Sequence, residues 1–115
     1  MEKKYSNEDF ANFIVEKVSN LSDANNPVYP YMVFCDCIDE FEDKTCLDHG
    51  DRCKILAMAF DLMDQLVCDG YFKEEKVVYY PVKKMENFSV SRVTEDGNLF
   101  VFETEANNEE EKENI

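Results

Sequence analysis

The chain has 115 residues, 44% of them hydrophobic, and a chain of this length usually folds as one small domain around a single core. It carries 26 acidic and 12 basic residues, which gives a formal net charge of -14. Because a surface of this sign repels phosphate, direct binding to nucleic acid or to an anionic membrane is disfavoured. The first residues, MEKKYSNEDF, contain no apolar run of the kind found in signal peptides, so we expect a cytoplasmic protein.

Three amphipathic helices are predicted in the first part of the chain. Ser6 can cap a helix over about residues 7–20, where apolar side chains recur at helical spacing. Pro30 suits the first turn of a second, shorter helix, in which carboxylates fill the positions between the apolar ones. A third, longer helix with a broad apolar stripe follows the DHGD turn and ends near Gly70, which can adopt a left-handed conformation.

The rest of the chain predicts strands and then a tail. VVYYPV, FSVSRVT and LFVFE are rich in β-branched and aromatic residues, and the EDGN between the last two favours a hairpin. We therefore expect a three-stranded antiparallel sheet after the helices, in a single α+β domain over residues 1–102. Residues 103–115, ETEANNEEEKENI, are too polar to join a core and predict an acidic disordered tail.

Four of the five cysteines and the only histidine fall between residues 35 and 53. On a helix Cys35 and Cys37 stand about 200° apart and cannot both face one ion, so we predict neither a metal nor a cofactor. Zinc stays possible if the second helix is wrong. Free cysteines usually lie in the core, so Cys37, Cys53 and Cys68 are expected to be buried. The possible zinc ligands are Cys35, Cys37, Cys46, His49 and Cys53.

A catalytic set is not evident in the sequence. With one histidine and three glycines there is no phosphate-binding loop, and the one local nucleophile–base pair would be Cys46 with His49. The acids between Asp36 and Asp43 lack the ligand pattern and the central glycine of an EF-hand. These observations predict a protein that is not an enzyme.

The order of two helices, a longer helix ending in LVCDGYF, and strands containing VSRVTEDGNLFVF resembles a winged helix-turn-helix domain. The resemblance covers residues 7–102 and implies that architecture. In that family the third helix enters the DNA major groove, but here Asp61, Asp64 and Asp69 on that helix would repel phosphates. We therefore expect the scaffold to bind protein. The matching residues are Leu66, Gly70, Tyr71, Phe72, Val93, Thr94 and Gly97.

In composition and role the chain also resembles phage-encoded acidic inhibitors that mimic DNA, including anti-CRISPR proteins. The resemblance implies a partner with a basic groove, such as a nuclease or a CRISPR effector, met in the cytoplasm of a host cell. Carboxylates spaced along rigid helices can take the place of phosphates in such a groove. The residues expected to bind the partner are Asp36, Asp39, Glu40, Asp43, Asp48, Asp51, Asp61 and Asp64.

The alternative function is a winged-helix regulatory or structural module that acts through protein contacts or forms a homodimer. Aromatic side chains alternate along the predicted strands, so one set could remain exposed as an interface. The opposite possibility, that the helices and the tail cover both faces of the sheet, stays open. The aromatic residues concerned are Tyr79, Tyr80, Phe88, Phe100 and Phe102.

Overall fold

The computed structural model describes residues 5–86, 88–94 and 97–102, and the predicted tail lies outside them. The predicted α+β class is confirmed, because three helices precede antiparallel strands. The helices are α1 (Asn7–Asp23), α2 (Pro30–Glu42) and α3 (His49–Cys68). The strands are β1 (Phe72–Glu75), β2 (Val78–Pro81), β3 (Ser89–Val93) and β4 (Leu99–Phe102).

Three of the helix boundaries have a clear local cause. The Ser6 side chain accepts a hydrogen bond from the Asp9 backbone N–H, and the Asp9 carboxylate accepts one from the Ser6 N–H at 2.9 Å. These two reciprocal bonds form a capping box at the start of α1. Pro30 occupies the first turn of α2, where a missing N–H has no consequence. After α3, Gly70 has a φ of +86°, and the next N–H donates to the Leu66 carbonyl at 2.8 Å.

The predicted three-stranded sheet is wrong, because the strands form two separate two-stranded sheets. VVYYPV does not pair with FSVSRVT. Its strand, β2, pairs instead with β1, in a register that runs from Phe72 opposite Pro81 to Glu75 opposite Val78. The prediction missed β1 because its sequence, FKEE, is mostly charged and lacks a strand signature. The predicted pairing of the last two strands is confirmed, with β3 antiparallel to β4.

The core lies between the three helices and the inner faces of the two hairpins. Ile14, Ile55 and Leu62 are fully buried, and β4 closes the core with the buried Leu99. The amide of Gln65 on α3 donates to the Leu99 carbonyl at 2.6 Å, which fixes the second hairpin against α3. Within the described residues, no helix combines the length and the apolar content that crossing a bilayer requires.

Candidate functional site

Four predicted binding residues form one ridge, which we call the α2 acidic ridge; Asp36, Asp39 and Glu40 lie on α2, and Asp43 is the residue that caps its end. They follow the spacing i, i+3, i+4 and i+7, which places their side chains on one side of a helix with neighbouring Cβ atoms about 5–6 Å apart. The opposite side of α2 is anchored in the core by buried residues. These are Val33, Cys37, Ile38 and Phe41.

Two of the four carboxylates of the α2 acidic ridge have lysine partners. Asp36 pairs with Lys17 of α1, with 2.9 Å between Nζ and the carboxylate oxygen, and Glu40 pairs with Lys44 one turn further along. Among the described residues Asp39 and Asp43 form no ion pair, and both are exposed. Asp39 and Asp43 are therefore the carboxylates of the ridge that are available to a partner without breaking a contact.

Asp48 and Asp51 have a structural role at the start of α3. The Asp48 carboxylate accepts a hydrogen bond from the Asp51 N–H at 2.8 Å, and the Asp51 carboxylate accepts one from the Asp48 N–H at 3.2 Å. This reciprocal pair satisfies two backbone donors that the helix leaves unpaired. The spacing D-x-x-D before an apolar run is the sequence signal for this cap, although the sequence analysis predicts only partner binding for both residues.

Asp61 and Asp64 lie on α3, and Glu74 lies on β1 near Tyr79, as does Asp64; we call these three residues the α3–β1 acidic cluster. Burial and the nearby Asp64 carboxylate raise the pKa of Asp61. Burial raises the pKa of Tyr79, and the carboxylates of Glu74 and Asp64 raise it further. Glu74 faces Tyr79 across the first hairpin. Sequence analysis missed Glu74 because it did not predict β1.

The two acidic sets lie on different sides of the seam between α2 and α3. Glu42 and Arg52 form an ion pair across one end of this seam, and the rings of Tyr31 and Phe60 meet edge to face at 6.3 Å near the other end. Asp36 instead points toward α1, where Lys17 holds it. Asp36 is therefore held on the side of α2 that faces α1 rather than α3.

Of the cysteines, only Cys37 is buried, so the expectation that Cys53 and Cys68 lie in the core is wrong. Burial, together with the nearby Glu40 carboxylate, raises the pKa of Cys37 to about 12. In the part of the chain that the structure describes, no three His, Cys, Asp or Glu side chains are grouped as ligands of one metal ion. The histidine contacts Cys53 rather than Cys46, with 3.5 Å between Nε2 and Sγ.

The aromatic residues proposed as an interface are divided between the core and the surface. Tyr79 is buried and Phe88 half-buried, whereas Tyr80 is 41% exposed, and the Phe102 side chain lies outside the described part. Val28 forms a bridge with Tyr79, and both side chains face the core. Because side chains alternate along extended chain, Tyr29 and Tyr80 point to the other face, where Tyr29 is 46% exposed.

Comparisons of the chain with protein families, curated proteins and solved structures found no match. The described residues present three surface features: the α2 acidic ridge, the α3–β1 acidic cluster and the exposed tyrosines beside the first hairpin. The first two are negative, and most of their residues lie on α2 and α3, which the core holds in place.

Proposed function

We propose that this protein is a small non-enzymatic inhibitor that occupies the basic groove of a nucleic-acid-handling protein in place of DNA. The observation that carries the proposal is the α2 acidic ridge. From Asp36 to Asp43 the chain advances seven steps of about 1.5 Å, so successive carboxylates are separated on average by about 3.5 Å along the helix axis. One strand of B-DNA carries one phosphate per about 3.4 Å of axis. A groove lined for phosphates would therefore meet a similar number of charges per length of axis.

The net charge supports the proposal through the rate of association. A chain with a net charge of -14 is attracted to a basic groove and repelled by the nucleic acid with which it competes. Salt screens this attraction, because the Debye length, about 8 Å at physiological salt, becomes shorter as salt is added. Inhibition that depends strongly on salt is the expected signature.

The class of partner follows from the same chemistry. CRISPR effectors hold a guide–target duplex in a positively charged channel, and other nucleases bind DNA in comparable grooves. We therefore favour such an effector or nuclease as the partner. This chain would then act as an anti-CRISPR protein that a phage makes in the cytoplasm of its host. The α3–β1 acidic cluster would be a second point of contact with the same groove.

The test uses two charge-reversed variants with the same net charge. Asp39→Lys with Asp43→Lys changes the α2 acidic ridge, and Glu16→Lys with Glu86→Lys changes exposed carboxylates elsewhere. Each reversal adds two positive charges, so both pairs change the net charge from -14 to -10. A panel of purified guide-loaded CRISPR nucleases and other bacterial nucleases is assayed for binding to a labelled DNA duplex at low and high salt.

The protein should displace DNA from at least one nuclease of the panel, and displacement should weaken as salt rises. Asp39→Lys with Asp43→Lys should abolish the displacement, whereas the control pair should change it little. Equal losses in both variants would show that only total charge matters. Failure to displace DNA from any nuclease, or displacement that salt does not affect, would refute the proposal.

A second candidate is a winged-helix module that acts through protein contacts. The observation in its favour is the face that carries Tyr29 and Tyr80, both of which are substantially exposed. Exposed apolar patches can mark docking or dimerisation surfaces, and these two tyrosines would contribute to such a patch. A homodimer that sedimentation detects at high salt, and that Tyr80→Ser dissociates, would favour this module over the inhibitor.

A further inference from the structure

The pair formed by His49 and Cys53 is used neither by the fold nor by the proposed function. Both residues lie at the start of α3, four positions apart, and both side chains are exposed. Their Nε2 and Sγ atoms are 3.5 Å apart. Residues four positions apart are neighbours on one side of a helix, so the backbone itself brings these two donors together.

This separation matches the distance between two ligands of one zinc ion. With a Zn–S bond of about 2.3 Å, a Zn–N bond of about 2.0–2.1 Å and a tetrahedral angle, sulfur and nitrogen lie about 3.5 Å apart. The hydrogen bond between the two groups therefore already holds the sulfur and nitrogen at the separation that one ion requires. We propose that His49 and Cys53 form a two-residue chelate for Zn²⁺ or a chemically similar ion.

The donor types select the class of ion. A thiolate and an imidazole favour zinc and other borderline or soft ions over Mg²⁺ and Ca²⁺, which prefer oxygen ligands. Binding requires the thiolate, so the Cys53 thiol releases one proton as the Zn–S bond forms, and a neutral imidazole releases none. The acidic surface of the chain also raises the local concentration of divalent cations.

The chelate fills two of the four positions around a tetrahedral ion. Within the described residues no third donor is grouped with this pair. The other two positions are then taken by water or by the same pair from a second copy of the chain. These two cases differ in stoichiometry, with one ion per chain for water and one ion per two chains for a shared site.

The test is titration of the reduced full-length chain with Co²⁺, followed by displacement with Zn²⁺. A thiolate-bound tetrahedral Co²⁺ absorbs in the visible and near-ultraviolet, and this signal should appear and then disappear as Zn²⁺ is added. One proton should be released per thiolate bound, which a pH indicator in weakly buffered solution measures. Sedimentation of the zinc-loaded protein distinguishes water from a second copy as the source of the remaining ligands.

Matched variants decide whether these two residues form the site. His49→Ala and Cys53→Ser should each weaken binding by more than about tenfold, since even outer-shell partners of metal ligands contribute about that much. Cys35→Ser and Cys68→Ser remove other exposed thiols and should change nothing. Circular dichroism checks that each variant is folded. Lack of a cobalt–thiolate signal, or a signal that survives both His49→Ala and Cys53→Ser, would overturn the proposal.

Discussion

Replacing Asp48 by alanine tests whether an acidic residue of the candidate site also maintains the fold. The Asp48 carboxylate accepts the Asp51 N–H at 2.8 Å, and Asp51 returns a bond of 3.2 Å to the Asp48 N–H. Loss of an N-cap side chain costs about 1 kcal/mol, so the melting temperature of a domain of this size should fall by about 4 °C. Asp39→Ala, at an exposed position without a cap, should change stability by less than about 0.5 kcal/mol.

Urea denaturation of Asp48→Ala, of Asp51→Ala and of the double variant that carries both changes measures the coupling between the two hydrogen bonds. Because the residues bond to each other, the double variant should lose less stability than the two single losses added together. Asp48→Asn keeps the cap but removes the charge, so it should be nearly as stable as the unmodified protein. If Asp48→Ala is no more destabilising than Asp39→Ala, the capping argument is wrong.

Two further predictions concern strain and charge elsewhere in the fold. Val77 has a φ of +58° in the first hairpin and is 68% exposed, so Val77→Gly should relieve the left-handed strain and stabilise the protein by about 0.5–1 kcal/mol, measured by urea denaturation. Val82→Gly, at an exposed position without a positive φ, is the control and should destabilise it. The raised pKa of Asp61 gives stability that is present below its usual 3.8 and lost as pH rises through the raised value. Asp61→Asn should therefore raise the melting temperature at about pH 7 and leave it unchanged near pH 3, and a lower melting temperature at pH 7 would contradict this.

The helices could be predicted because several of their boundaries carry a local chemical signal, although α3 begins at His49, inside the DHGD segment that the sequence predicts as a turn. Ser6, Pro30 and Gly70 mark boundaries through side-chain capping, a fixed φ and a left-handed φ, and none of these effects depends on distant contacts. The pairing of the strands could not be predicted in the same way. The charged strand FKEE forms because the two-residue turn at Lys76 and Val77 folds it onto β2, although neither residue favours the positive φ that this turn requires.

The candidate site could be predicted where it depends on local helical spacing. Helical spacing was enough to place Asp36, Asp39, Glu40 and Asp43 on one ridge. The packing of α2 against α3 depends on tertiary contacts, such as the ion pair between Glu42 and Arg52, that no local pattern indicates.

The lysines beside the α2 acidic ridge are compatible with binding to a basic groove. Lys17 and Lys44 each pair with one carboxylate of the ridge, and both pairs are substantially exposed. Exposed ion pairs are worth about 0–1 kcal/mol, so arginine and lysine side chains of a groove can replace these lysines at little cost. In the free protein the same lysines reduce repulsion among four carboxylates on one side of a short helix. The pairs can thus stabilise the isolated helix without preventing the ridge from presenting its charges to a partner.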